Sequence, residues 1–488
     1  MNIINLPEPL LEFGNGNTSV CPKDGIMRFC PYDIHQQDRP EKVVIGVIGK
    51  SDSIDIVLKW LEECSRFIEA KPSRQPKLFP VFMGFHERHG FCSRLVYEEE
   101  YIRRINNTEF DDIYKVGSED EVIEQAVELY IRKIKWLKEN KRPSVILCVV
   151  PESFVQRFNP NTKPKTGEEE DKEQEELEEE AATEVDEKLS QQEKNFRRML
   201  KARAMKHHIP IQIIRDRISK PTGEMQDKAS IAWNLFTALY YKASGTPWKL
   251  VHAPASVVCY AGISFYKSRD RKTMQTSIAQ IFNELGKGVI LRGEDPIHVR
   301  KGDRTPHLTA EQAYRLMKKA LGEYKESLHL NPQRLVVHKT SNFTDAEQEG
   351  ILMAAQECHI DALDLVTVHE RTTFRLFREK QYPPLRGTLL SFDDKNHLLY
   401  TRGAVPYFET YPGMYIPKPL QIRLYRHDES PETICNELLG LTKMNWNNTQ
   451  FDRRSPITVE CSRKVGDILK YIPEDSDSEM ELRYSFYM

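Results

Sequence analysis

An α/β architecture in two unlike halves is what this 488-residue chain predicts, and three patterns predict it. Up to about residue 250, short apolar runs alternate with amphipathic helical stripes, as in a doubly wound, Rossmann-like sheet that takes its ligands at the carboxyl ends of the strands. From residue 251 to 488, three strands follow one another before any helix, and only then do helix and strand alternate. At about residues 160–190 an acidic insertion interrupts the first half; its run from Glu168 to Glu180, EEEDKEQEELEEE, reads as a solvated segment, partly helical or disordered.

The elements follow from periodicity. Val43 to Gly49 is a buried-strand run, Ile54 to Glu69 an amphipathic helix, and Leu78 to Met83 a further strand. Val122 to Lys138 carries Ile123, Val127, Tyr130, Ile134 and Leu137 on one stripe, and strand Ser144 to Val150 follows. After the insertion come a basic helix, Gln192 to Lys206, a short buried strand, Ile209 to Ile214, and a helix from Asp227 to Ala243 that Gly245 and Pro247 stop. In the second half Val257 to Phe265, Thr276 to Phe282 and Gly288 to Arg292 are successive strands. Helix Ala310 to Tyr324, strand Leu335 to His338, helix Asp345 to Cys358 and strand Ala362 to Val368 come next. A strand meander followed by such alternation suits an RNase H-like fold.

Composition bounds the setting. A formal charge of -3 and a pI near 6.6 do not by themselves suggest nucleic acid, but the insertion concentrates much of the negative charge, so the remainder is more basic. The nine cysteines include no CxxC pair, which fits reduced thiols and gives no zinc framework. No apolar stretch approaches a membrane span, and the N-terminus lacks a basic region followed by an apolar one, so a cytoplasmic protein is expected.

Four residues share one plausible target. Arg197 and Lys201 stand at i, i+4 on one face of the basic helix, Gln212 is the polar interruption of the buried strand after it, and Lys242 lies in the last turn of the next helix. Three cations and an amide suit a terminal phosphate, which carries close to two charges near pH 7 and needs converging charge-assisted hydrogen bonds. The macrodipole alone also favours a lysine at a helix C-terminus, and basic pairs at i, i+4 are often only a solvated face.

Whole segments resemble a known family. FRRMLKARAMKHHIPIQIIR followed by SIAWNLFTALYYKASGTPWKL resembles the MID domain of prokaryotic Argonautes, and CYAGISFY, RLVVHKTSNF, LLGLTKMNWNN, SPITVECSRKVGDIL and RYSFYM resemble successive PIWI segments. With LPEPLLEFGNG and CPKDGI near the start, the chain is similar to a short Argonaute of MID and PIWI alone, the type that pairs with an APAZ-domain effector. The resemblance implies that the first 250 residues form the MID domain with an N-terminal extension and the rest an RNase H-like PIWI domain. It implies a guide held by its 5′-phosphate through a His or Tyr, Lys, Gln, Lys set, which falls here on Arg197, Lys201, Gln212 and Lys242, with Arg197 the departure. It also implies a structural Mg2+ at that phosphate, bound by a C-terminal carboxylate that Met488 would supply, near Gln212.

An active PIWI site holds two divalent ions with carboxylates. By position in the motifs its first aspartate falls on Ser264 and its second on Thr340, and a neutral hydroxyl does not offset the charge of two metals. The fourth ligand should lie near Glu460 or Cys461, and Asp270, Glu294 and Asp295 are the nearby loop acids. The expectation is therefore an inactive, guide-dependent sensor with an RNA guide and a single-stranded DNA target from a plasmid or phage. The toxic reaction would belong to a TIR, Sir2 or nuclease partner joined to APAZ. A residual metal nuclease and a partner-free binder acting by blockage are the alternatives. Arg292, Arg300, Lys301, Arg304, Arg423 and Arg426 are the candidate channel cations, gripping backbone while base pairing reads sequence.

Three motifs miss. Gly49, Lys50, Ser51 lacks the earlier glycine of a P-loop, Gly14 and Gly16 lack the third glycine of a dinucleotide fingerprint, and His86, Glu87, Arg88, His89 falls one residue short of the zincin spacing, with Cys92 nearby.

Overall fold

The computed structural model describes residues 1–115, 117–158, 190–219, 226–251, 257–268, 274–282, 287–293, 297, 305–329, 331–379, 383–409, 411, 416–472, 481 and 483–488. The acidic insertion and the cations Arg300, Lys301 and Arg304 lie outside these residues, as do Asp270, Glu294 and Asp295.

The first half is built on a parallel sheet in the order Arg94–Val96, Lys42–Lys50, Val145–Val150, Ile211–Arg215, with Ile102–Ile105 pairing further along Lys42–Lys50. Its strands are apolar on both faces because both are covered. Val145, Leu147 and Val149 face the core shared with helices Ser51–Cys64 and Lys228–Lys242, while Ile146, Cys148 and Val150 face helices Glu119–Asn140 and Gln191–Met205. Gly49 is there for packing: a Cβ would lie 2.7 Å from the Val149 carbonyl oxygen of the adjacent strand, which accounts for the P-loop near miss without any phosphate.

One expected strand is absent. Leu78 to Met83 is a loop, and its strand-like pairing is the isolated bridge between Ile68 and Phe82. Its apolar residues are satisfied by helix Lys228–Lys242 instead: Phe82 packs on Trp233 and Phe236, and the Val81 carbonyl accepts from the Trp233 indole at 2.9 Å.

The second half holds a nine-stranded sheet in the order Asn2–Asn5, Thr388–Ser391, Asn396–Leu399, Leu420–Arg426, Ala362–His369, Arg334–Lys339, Val258–Lys267, Met274–Phe282, Lys287–Arg292. The three central strands, Val258–Lys267, Arg334–Lys339 and Ala362–His369, run parallel, and the meander after residue 257 is antiparallel. The division expected at residue 250 is crossed by the N-terminus, because strand Asn2–Asn5 pairs with Thr388–Ser391 in the second sheet. Glu8 anchors the crossing; half-buried between Arg386 (3.0 Å) and Lys443 (2.5 Å), its carboxyl is held below the usual range against the opposing effect of burial.

Strand Val258–Lys267 is covered on two sides. Cys259, Ala261 and Ile263 face helices Ala310–Leu328 and Asp345–Glu357. On the other side Gly262 lies so close to helix Ile457–Leu469 that a Cβ would come within 2.1 Å of the Thr458 carbonyl oxygen. Among the described residues no helix is long and apolar enough to cross a membrane.

Candidate functional site

The basic helix Gln191–Met205 starts where Ser190 accepts from the Glu193 amide, and Phe196, Met199, Leu200 and Ala204 bury its inner face. Arg197 and Lys201 lie on the side that lines a cavity of about 570 Å³, together with Gln212 and Met488. Arg197 is oriented by Glu193, a fully buried carboxylate that accepts from Arg197 Nε at 3.0 Å and from Arg215 Nε at 3.0 Å. Lys201 Nζ donates to the Tyr487 carbonyl at 3.2 Å. Three of the four expected phosphate contacts therefore share one wall.

The fourth stands behind that wall. Lys242 is only 3% exposed and is not among the lining residues; its ammonium donates to the Ile211 carbonyl (2.9 Å), to Gln212 Oε1 (2.6 Å) and to the Met488 main-chain oxygen (3.0 Å). With Oε1 taken by the ammonium, the amide nitrogen of Gln212 is the end left to donate toward the cavity. Burial pushes Lys242 well below the ordinary lysine range, and the Lys201 charge beside it adds to the shift. An anion bound beside them opposes both effects, because it favours the charged form of each lysine. The expected direct contact is thus corrected to a positioning one: Lys242 orients Gln212 and Met488 and adds charge beneath them.

The same ammonium bears on the expected Mg2+. The oxygens that would hold the ion, Gln212 Oε1 and the Met488 main chain, both accept from Lys242, so the residues present do not fit a divalent cation in that position.

Sequence reasoning missed the rest of the cavity wall. Lys23 and Lys71 line it from the N-terminal region, and Arg402 with residues 447–452 lines it from the second half. Asn234 on helix Lys228–Lys242 ties the halves by accepting from the Thr449 amide (3.0 Å) and hydroxyl (2.9 Å). Beyond Arg402 lies a group of arginines. Arg454 is pushed down by burial and, despite Glu370 beside it, by repulsion from Arg402, Arg375 and Arg463. Glu370 accepts from Arg463 at 2.8 Å, and Asp452 stands 3.9 Å from Arg402. Four guanidiniums around two carboxylates leave a local positive excess, which no spacing in the sequence announces because the residues come from four separate segments.

On the second sheet, Ser264 is 6% exposed, and its hydroxyl donates to the Ser462 carbonyl of helix Ile457–Leu469 at 2.6 Å. Ile263 pairs in parallel with Lys339, so Ser264 and Thr340 lie side by side just past that pair, Thr340 exposed at the strand end. His338 on the same strand bonds Thr458 at 2.7 Å and is kept neutral by burial, its pKa lowered to about 3. Glu460 accepts from Arg453 (2.5 Å), Lys464 (2.8 Å) and Asn445 (3.0 Å), and these partners hold its carboxyl well below the usual range despite full burial. Among the described residues no three His, Cys, Asp or Glu side chains converge as metal ligands, the His86, His89 and Cys92 group included.

No protein-family profile matches the chain. "Protein argonaute" of Aquifex aeolicus (strain VF5) is 23% identical over 287 residues, 58% of this chain and 37% of that protein. Among solved structures, Clostridium butyricum Argonaute bound to a guide DNA and a 19-mer target DNA superposes with a TM-score of 0.67 at 15% identity, over 97% of this chain and 53% of that one. Drosophila Piwi gives 0.59 at 14%, covering 100% and 56%, and Aa-Ago with externally bound siRNA 0.57 at 15%, covering 96% and 53%. The fold is that of Argonaute proteins. The chain spans about half the length of these solved Argonautes and less of the curated relative.

Within this Argonaute fold the expected channel cations separate. Arg292 is buried, its Nε donating to the Tyr266 hydroxyl at 2.8 Å, so its expected place on an open channel is corrected to a packed sheet edge. Arg423 and Arg426 are exposed on strand Leu420–Arg426, Arg423 lying over the Tyr425 ring, and neither lines the cavity.

Proposed function

We propose that the chain is an Argonaute-family protein that grips the 5′-phosphate of a guide strand, RNA in preference to DNA, and recognises complementary single-stranded DNA by base pairing. The observation that carries this reading is the shared wall of Arg197, Lys201 and Gln212, with Lys242 beneath it. The Clostridium butyricum neighbour, solved with guide and target strands, supports nucleic acid as the ligand class. The arginines at 375, 402, 454 and 463 are the proposed grip on the backbone beyond the first phosphate.

In this proposal the chain does not cut. By the resemblance Ser264 and Thr340 fall on the positions of two carboxylates, the Ser264 hydroxyl is spent on the Ser462 carbonyl, and one oxygen of Glu460 holds three donors. The toxic activity then belongs to a second, APAZ-bearing chain in a prokaryotic defence complex, and this chain is its sensor. Mg2+ has no part in holding the phosphate; Lys242 supplies that charge.

The test compares 5′-phosphorylated with 5′-hydroxyl guides, RNA and DNA, on wild type and Lys201→Ala. The phosphate should tighten wild-type binding, and the substitution should cost about 1.5–3 kcal/mol on phosphorylated guides alone. Equal affinity for the two guide ends in wild type would sink the assignment. EDTA should leave the phosphate preference unchanged, whereas a tenfold loss would return the ion to the site. Incubating a guide-matched target with manganese or magnesium should give no cut product, and a sequence-directed cut would favour the residual nuclease.

A further inference from the structure

Cys30 and Cys92 lie 62 positions apart in the chain, yet their sulfurs are 2.9 Å apart. Cys30 ends helix Pro22–Phe29, at φ 62, with its amide bonded to the Ile26 carbonyl. Cys92 follows the turn in which the His86 and His89 rings stack, at φ 51, and its carbonyl accepts from Arg39 at 2.8 Å. Two backbone positions unusual for a non-glycine residue thus bring the thiols together. The sulfurs are about 0.9 Å from an S–S bond length of about 2.0 Å.

The two thiols differ in a useful way. Cys92 is buried and donates its S–H to Cys30, while Cys30 is only half-buried. That hydrogen bond, aided by the Arg39 charge, draws Cys30 down to about 7, whereas burial pushes Cys21, Cys64, Cys148, Cys435 and Cys461 up. A thiolate is the nucleophile, so Cys30 is the reactive partner and Cys92 the resolving one.

We propose that Cys30 and Cys92 form a reversible disulfide on reaction with a hydroperoxide. The Cys30 thiolate attacks one peroxide oxygen and the O–O bond breaks, giving a sulfenic acid and releasing hydroxide. The Cys92 sulfur then attacks the Cys30 sulfur, the S–O bond breaks, and water leaves with the Cys92 proton. In sum, two thiols are oxidised, hydrogen peroxide is reduced, and two waters form. A dithiol reverses the bond by exchange.

The bond would close a clasp. Asp33, three residues after Cys30, accepts from the Tyr240 hydroxyl at 2.6 Å and from the Thr246 amide at 2.7 Å, and Phe91, beside Cys92, packs on Tyr240 and Trp233. Both segments therefore hold helix Lys228–Lys242, and oxidation staples them to each other. This inference does not depend on the guide reading.

The full chain, treated with a few equivalents of hydrogen peroxide, is then unfolded in denaturant, blocked with N-ethylmaleimide and mapped by mass spectrometry without reduction. The expected result is a Cys30–Cys92 crosslinked peptide, two fewer alkylated thiols, and full recovery with dithiothreitol. In Cys92→Ser, dimedone should trap Cys30 as its sulfenic acid. Oxidised wild type should melt at a higher temperature than reduced wild type, and Cys30→Ser should show no such shift. Nine alkylated thiols after treatment, or a crosslink between another pair, would overturn the proposal, and because the mapping uses wild type it decides the matter even if a variant fails to fold.

Discussion

Lys242 is a cation placed where water cannot reach it, and that fixes how it should respond to pH. Its folded pKa lies well below the ordinary value, so between the two pKa values the unfolded chain binds a proton that the folded chain does not. Stability without ligand therefore rises with pH through that window and is flat on either side of it. A phosphate beside Gln212 works the opposite way, since an anion favours the charged lysine and binding above the depressed pKa takes up a proton. The phosphate itself loses charge below about pH 6. Phosphate-dependent affinity should thus be greatest in a band above about pH 6 and decline as pH climbs past the depressed lysine pKa. Lys242→Met should abolish the upper decline and lower affinity for phosphorylated guides about tenfold or more, the equivalent of one charge-assisted hydrogen bond. Binding titrations from pH 5 to 10 on both proteins test this, and a parallel decline in the mutant would mean that another group titrates.

At the scale of elements, the packing of helix Ile457–Leu469 on strand Val258–Lys267 decides what Ser264 can become. The helix carbonyls of Thr458 and Ser462 press on Gly262 and Ser264, so Ser264→Asp would set a carboxylate against an acceptor in a site only 6% exposed. The cost should be about 2–4 kcal/mol, from an uncompensated buried charge and a lost hydrogen bond, with no gain in cutting because Thr340 still withholds a carboxylate. Ser264→Ala should cost only about 1 kcal/mol, and denaturant melts of the two variants separate the effects. Most elements here were legible, because Ile54, Val57 and Leu61, or Ile123, Val127 and Ile134, write a buried helical face directly. Leu78 to Met83 was not, since apolar content reports burial but not whether a sheet or a helix provides the cover. Nor was Asn2–Asn5, whose four residues carry too little pattern to name a partner strand almost 400 positions away. Lys242 was found as a residue but misplaced by one layer, because periodicity gives a face and not a depth.

Across the whole molecule, the cavity is made by both halves, and side-chain contacts join them, one of them at the cavity wall. Arg198 pairs with Asp467, the Tyr471 hydroxyl donates to Asn195 at 2.8 Å, and Asn234 holds Thr449. Lys201 lines the cavity from one half and Arg402 from the other, so the proposed guide strand would touch both, which predicts two kinds of loss. Removing Lys201 should affect only guides that carry the terminal phosphate. Removing Arg402 and Arg454 together should weaken phosphorylated and hydroxyl guides by the same factor, since internal phosphates are common to both. Each internal phosphate contact released should also lower the slope of log affinity against log salt by about 0.7 for a single strand. Fluorescence titrations at several salt concentrations give both readings at once: an unchanged slope in the Arg402→Ala, Arg454→Ala protein would mean that the arginine excess serves folding rather than the guide, and a loss confined to phosphorylated guides would move the first phosphate from the Lys201 wall to the arginines.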